Sequence, residues 1–194
     1  MGELEVPGFS EFMHPITADN SILLTVGQDA NEFGVVTGFQ ISIFDSTDPS
    51  DPKLVDRLVL EGGSSSASWD ERSFRYIQVG EVGRLIIPLY EYNLDRFGQS
   101  INNMDGFAVF GIDLSKTEAL ITREIDVNHY SNHNSYYDDR GCYCGSVWLP
   151  QRSLIFDGNL MTMKNSLVVS TDLGSGETRW SMDLQANKAN CCMP

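Results

Sequence analysis

His129 and His133, spaced H-x3-H, are followed by Cys142 and Cys144, spaced C-x-C, and together they offer the nitrogen and thiolate ligands that a tetrahedral zinc ion takes. The interval between the two pairs is not that of a zinc finger or ribbon. Two further thiols, Cys191 and Cys192, lie near the end of the chain and give the first pair another fate. Neighbours as close as these rarely bridge each other without strain. The expectation is therefore two cross-pair disulfides, tying the tail 186–194 to the loop before Trp148 in an oxidising compartment. Both connectivities stay open, the two histidines read as ordinary loop residues, and no metal or cofactor is favoured.

Two carboxylate groups invite similar scrutiny. Asp45, Asp48 and Asp51 recur every third residue in a turn rich in Ser and Pro, an all-oxygen set of the kind calcium accepts. The turn lacks the glycine and closing glutamate of an EF-hand loop. Asp also builds such turns by bonding nearby backbone amides, and that is the expected role. Asp70 and Glu71, followed by Arg72, could do the acid-base work of a carboxylate-dependent hydrolase. A charged turn with the arginine paired locally is the plainer expectation. Nucleophile elbows, phosphate loops and dinucleotide fingerprints are absent, and Ser64, Ser65 and Ser66 after two glycines read as flexible loop.

A third group suits binding rather than catalysis. Tyr136, Tyr137, Asp138, Asp139, Tyr143 and Trp148 give one long loop an aromatic and acidic character. Loops of this kind on a rigid scaffold are where recognition usually resides.

Composition narrows the partners. Thirteen Lys and Arg residues stand against 27 Asp and Glu, a formal charge of −14. Attraction to nucleic acid or to anionic lipid is thereby disfavoured. No apolar run reaches the length of a membrane span. The first twenty residues hold acids and a proline in place of a basic start and an apolar stretch, so an exported protein would carry its leader outside these residues.

The elements that must position these groups are strands. Apolar and polar residues alternate with period two, as in Gln40-Ile41-Ser42-Ile43, and no stretch keeps an apolar stripe at helical spacing. An internal repeat then refines the all-β assignment. Gly38-Phe39-Gln40-Ile41-Ser42-Ile43-Phe44-Asp45 returns 68 positions later as Gly106-Phe107-Ala108-Val109-Phe110-Gly111-Ile112-Asp113, and more faintly as Ser166 to Asp172. Each copy is followed by a strand bearing an arginine, namely Arg57, Arg123 and Arg179, and preceded by a compact apolar strand. A further strand is expected before each of these, near Phe9–Met13, Phe74–Val79 and Tyr143–Leu149. Four antiparallel strands repeated three times read as β-propeller-type blades, near 8–62, 63–128 and 129–185, with a Cys-containing tail. Closed propellers have about four to eight blades. Three would form a partial or composite ring whose open flanks meet further blades or other copies of the chain.

The chain also resembles a family of secreted bacterial and archaeal proteins with a β-propeller domain distantly related to WD40 repeats. The resemblance covers nearly the whole chain, as the C-terminal part of such a protein. It rests on Gly8 to Ile16, on Gly38 to Lys53, on Gly106 to Asp113, and on Arg152 to Thr162 as a last blade. Asp70-Glu71-Arg72-Ser73-Phe74 stands where the family has Asp-His-Lys-Ala-Phe, so any role of that histidine is missing. The cysteine pairs are additions. The resemblance implies a propeller fold and an exported, extracellular or cell-surface location, and it brings no reaction. The function expected is a non-catalytic binding or scaffold module with a protein partner, a self-associating extracellular subunit being the alternative and a carboxylate- or metal-dependent hydrolase the remote one.

Overall fold

The computed structural model describes residues 2–80, 82–94, 100–129, 136–137, 143–144 and 150–184. Three antiparallel meanders dominate it. The first joins β1 (Phe9–Pro15), β2 (Ile22–Ala30), β3 (Val36–Asp45) and β4 (Lys53–Glu61) in sequential order. The second is built from β6 (Arg75–Val79), β7 (Val82–Leu94), β8 (Ser100–Ile112) and β9 (Ile121–Asn128), with the short β5 (Gly63–Ser64) sharing the free edge of β7. A two-residue pair, β10 (Tyr136–Tyr137) with β11 (Tyr143–Cys144), precedes the third meander. That meander holds β12 (Arg152–Phe156), β13 (Asn159–Lys164), β14 (Leu167–Asp172) and β15 (Thr178–Asp183).

Period-two alternation explains how the sheets stack, because successive side chains leave a strand on opposite faces. Leu85, Ile87 and Leu89 of β7, with Ala108, Phe110 and Ile112 of β8, join Leu24, Val26, Phe39, Ile41 and Ile43 of the first sheet in one core. The intervening Ile86, Phe107 and Val109 point the other way, into a second core with Leu160 and Val169 of the third sheet. The middle sheet is therefore buried on both faces. Three four-stranded sheets stacked face to face in chain order are blades of a propeller.

The repeat residues have matching structural roles. Gly38 and Gly106 begin the continuously buried stretch of their strands, where a Cβ would run into a backbone carbonyl of the neighbouring strand, Leu60 O and Val127 O respectively. Asp45, Asp113 and Asp172 close the third strand of each blade and turn back on the following loop. Their Oδ1 atoms accept from the amides of Thr47 at 2.8 Å, Ser115 at 3.1 Å, and Gly174 and Ser175 at 2.9 and 2.8 Å.

The third blade departs from expectation in its strand order. Its first strand is Arg152–Phe156, which the sequence pattern puts second, and Asn159–Lys164 is a strand not anticipated. The cause is the Asp157-Gly158 turn, with φ of 50° and 71°, the left-handed pair that a tight two-residue hairpin requires. Of the expected strand Tyr143–Leu149, Tyr143 and Cys144 pair with Tyr137 and Tyr136, and the rest lies outside the described residues.

Candidate functional site

The first strands of the three blades converge. Phe12 of β1 packs on Phe74 with ring centroids 4.8 Å apart, and His14 lies 5.6 Å from Phe74 and 5.9 Å from Tyr76 of β6. Arg75 Nε of β6 donates to Ser153 O of β12 at 3.0 Å. At one end of this junction the chain entering β6 makes two 3₁₀ turns, Ser66–Ser68 and Glu71–Ser73.

Local chemistry fixes both turns. Ser65 Oγ accepts from the Ala67 amide at 3.2 Å and donates to Pro88 O. Ser66 Oγ donates to Gln151 Oε1 at 2.9 Å, so the serine run expected to be flexible is held at a blade junction, with Ser65 buried. Asp70 caps the second turn, accepting from the Arg72 amide at 3.1 Å and from Ser73 Oγ at 3.2 Å. Arg152 Nη1, at the start of β12, donates to Asp70 Oδ2 at 2.6 Å and to Gln151 O at 2.7 Å.

Trp69 sits between these pinned turns and is 74% exposed. It borders two adjoining clefts. One, of about 480 Å³, is walled by Glu11, Phe12, Asp70, Glu71 and the Arg152 side chain. The other, of about 290 Å³, reaches Pro88, Leu89, Gln151 and Lys164. A large indole face is thus presented on a rigid mount, with charges of both signs at its rim.

The carboxylate considered for acid-base work, Asp70, is already engaged. Bonding to Arg152 first, with the Arg72 amide and Ser73 hydroxyl, holds the Asp70 carboxyl below its usual range. A group so stabilised as the anion is a poor proton donor and a weak nucleophile. Arg72 does not fill the partner role; Arg152, 82 positions along the chain, does.

The other expected groups fall elsewhere. Asp45 and Asp48 are turn caps, their carboxyls held below the usual range by the hydroxyl and amide of Thr47 and of Ser50, while Asp51 lies 3.3 Å from Lys53 Nζ. Among the described residues no three His, Cys, Asp or Glu side chains gather as a metal site. His129 directly follows β9 and is not an ordinary exposed loop side chain. It is 2% exposed, its Nε2 lies 2.8 Å from Thr162 Oγ1, and its ring packs 5.6 Å from that of Phe107, between the second and third blades. Burial first, then the Lys164 charge, lowers its pKa to about 4. His133, Asp138, Asp139, Cys142, Trp148, Cys191 and Cys192 lie outside the described residues. For Tyr136, Tyr137, Tyr143 and Cys144 only the strand pairing is described.

Comparison with known proteins agrees with the stacked sheets, since residues 1–175 match the Beta propeller domain family. The chain belongs to that family. An uncharacterized protein of Methanocaldococcus jannaschii is 29% identical over 92 residues, covering 47% of this chain and 13% of that relative's length. No solved structure matches. Beta propeller domains present binding surfaces on a rigid ring, and in this one the Trp69 clefts open where the first strands meet. Among the described residues no helix is long and apolar enough to cross a membrane.

Proposed function

We propose that this beta propeller domain is a non-catalytic binding or scaffold module that works outside the cell, with the Trp69 mouth as its contact surface for a protein partner. The observation that carries this reading is the pairing of a displayed indole with a mount bonded to two blades. Exposed aromatics on preorganised backbone contribute contact area at little conformational cost. The engagement of Asp70 supports a binding rather than a hydrolytic role. The two cysteine pairs support an oxidising, extracellular location.

Affinity capture from a cell-envelope fraction by the native chain and by Trp69→Ala tests the surface. A bound protein retained by the first and lost by the second, with unchanged thermal melting, is expected. Retention of the same protein by both would move the contact elsewhere. Turnover of a generic glycoside, ester or phosphate substrate that Asp70→Asn abolishes would replace the binding role with hydrolysis. Intact mass before and after reduction tests the location: a gain of about four mass units, one hydrogen atom for each thiol released from two disulfides, is expected, whereas four free thiols would contradict it.

A further inference from the structure

We propose that the open face of the third blade is a two-fold interface with a second copy of this chain. Each blade has one face that looks onward along the stack, and in the first two it is apolar and covered. Phe39 and Ile41 of the first blade meet the second, and Phe107 and Val109, at the repeat-equivalent positions, meet the third. Strand register places Leu154 beside Met161, Ser170 beside Trp180, and Val168 beside Met182 on the corresponding face of the third blade, with Phe156 at its rim. That face is apolar too, yet Leu154, Phe156, Trp180 and Met182 are between 45% and 71% exposed.

Among the surfaces that the described residues offer, one suits it. The opposite end of the stack, the face of the first blade turned away from the second, is a poor mate. Its centre is polar and already closed within one chain, with Thr25, Gln40 and Ser42 at most 2% exposed and Arg57 paired to Asp29 beside them. Copies stacked head to tail would therefore set an apolar sheet on a finished polar one. An interface related by a two-fold axis needs only one patch, used twice. The third blade's face is such a patch, and it has relief as well as apolarity. A cleft of about 560 Å³ between Phe156, Met161 and Trp180, floored near the Asp172–Arg179 ion pair, can receive a projecting ring from the partner.

Area sets the strength. Four strands of about five residues give a face of roughly 300 Å² in projection. With side-chain relief two such faces bury on the order of 1,000 Å², the lower limit of a specific interface. A reversible dimer is the result, and it is independent of the role given to Trp69.

Sedimentation velocity on the whole chain, from low to high micromolar concentration and in reducing buffer, tests this. The mass should double as concentration rises, and the double variant Trp180→Glu/Met182→Glu should stay monomeric with the native circular dichroism spectrum. Met13→Glu, on the first blade's outward face, should dimerise as the native chain does. Should the double variant fail to fold, Phe156→Ser, at an exposed rim position, takes its place with at least tenfold weaker association expected. A native chain that stays monomeric, a dimer that reduction abolishes, or a dimer indifferent to all blade-three variants would overturn the proposal. Loss of the dimer in Met13→Glu would overturn it in favour of head-to-tail stacking.

Discussion

Arg152 Nη1 lies 2.6 Å from Asp70 Oδ2, so one ion pair ties the opening residue of the third blade to the turn that displays Trp69. Both side chains are about one-third exposed, which screens the pair and limits its worth. Arg152→Met should cost about 1 kcal/mol of global stability, yet it should loosen the Trp69 mount much more, because Ser73 and Gln151 lose the same bridging group. Hydrogen exchange at the Arg72 and Ser73 amides reads the local effect, with faster exchange expected there and little change in β8. The Asp70 carboxyl should also rise toward its usual range in this variant. In the native chain its lowered value adds stability that is present above the unfolded pKa and fades as pH falls through the folded one, and the variant should lose that part of the acid dependence.

The second blade holds a tighter pair. Arg123 Nη1 and Nη2 donate to the two oxygens of Glu91 at 3.0 and 2.7 Å, while Nε reaches Asp126 at 2.7 Å. Glu91 is nearly buried, so removing the arginine leaves a carboxylate without its fork. Arg123→Met should cost about 2 kcal/mol, less than a fully buried pair because the arginine is partly exposed. Glu91→Gln keeps one acceptor and should cost about 1 kcal/mol. Denaturant midpoints of the two variants and of the double variant give the coupling. A double variant no more stable than the sum of the two singles would show that the pair does not act as a unit.

These two arginines mark the limit of what the sequence disclosed. Arg57 and Arg123 were visible as repeat features because each lies on the strand after a repeat copy, 66 positions apart against the 68 between Gly38 and Gly106. Alternation at β7 and β8 was legible too, and the structure sorts its two sets of residues between the neighbouring sheets. The partner of Asp70 was not, because Arg152 is distant in sequence and meets it only once the blades stack. His129 misled for a related reason: its neighbours Asn128 and Tyr130 look like loop, and it is buried against Thr162 of another blade and the ring of Phe107. Asn159–Lys164 is hard to read as a strand because Asn159, Met161, Met163 and Lys164 are weak strand markers, although Asp157-Gly158 announces the hairpin.

Burial of His129 as the neutral ring makes stability depend on mildly acidic pH. Its pKa is about 4 in the fold against an ordinary value of 6.5. The unfolded chain therefore binds the proton first, and stability falls as pH drops from about 6.5 to about 4, then levels with respect to this group. Above that window the contribution is complete. Its size is on the order of 3 kcal/mol from the width of the window. Urea midpoints across the window should decline for the native chain. His129→Gln, which keeps a polar contact to Thr162 without titrating, should decline less. Equal slopes would mean that the ring is protonated in the fold, with Asp105 rather than Thr162 as its effective partner.

Two glycines separate close packing from backbone strain. A Cβ at Gly106 would strike the Val127 carbonyl, and β9 cannot retreat without breaking its ladder to β8 and opening the core under Val127. At Gly158 nothing lies within 4 Å of a Cβ, and only the φ of 71° resists substitution. Gly158→Ala should therefore cost about 1 kcal/mol, the ordinary penalty of the left-handed region. Gly106→Ala should cost more, about 3 kcal/mol, as overpacking against fixed backbone does. The same substitution at Gly38 should behave like Gly106, because Leu60 O stands in the place of Val127 O. Thermal denaturation of the three single variants ranks them. If Gly158→Ala proved the worst, the Asp157-Gly158 hairpin rather than the approach of the fourth strand would be what the blade depends on.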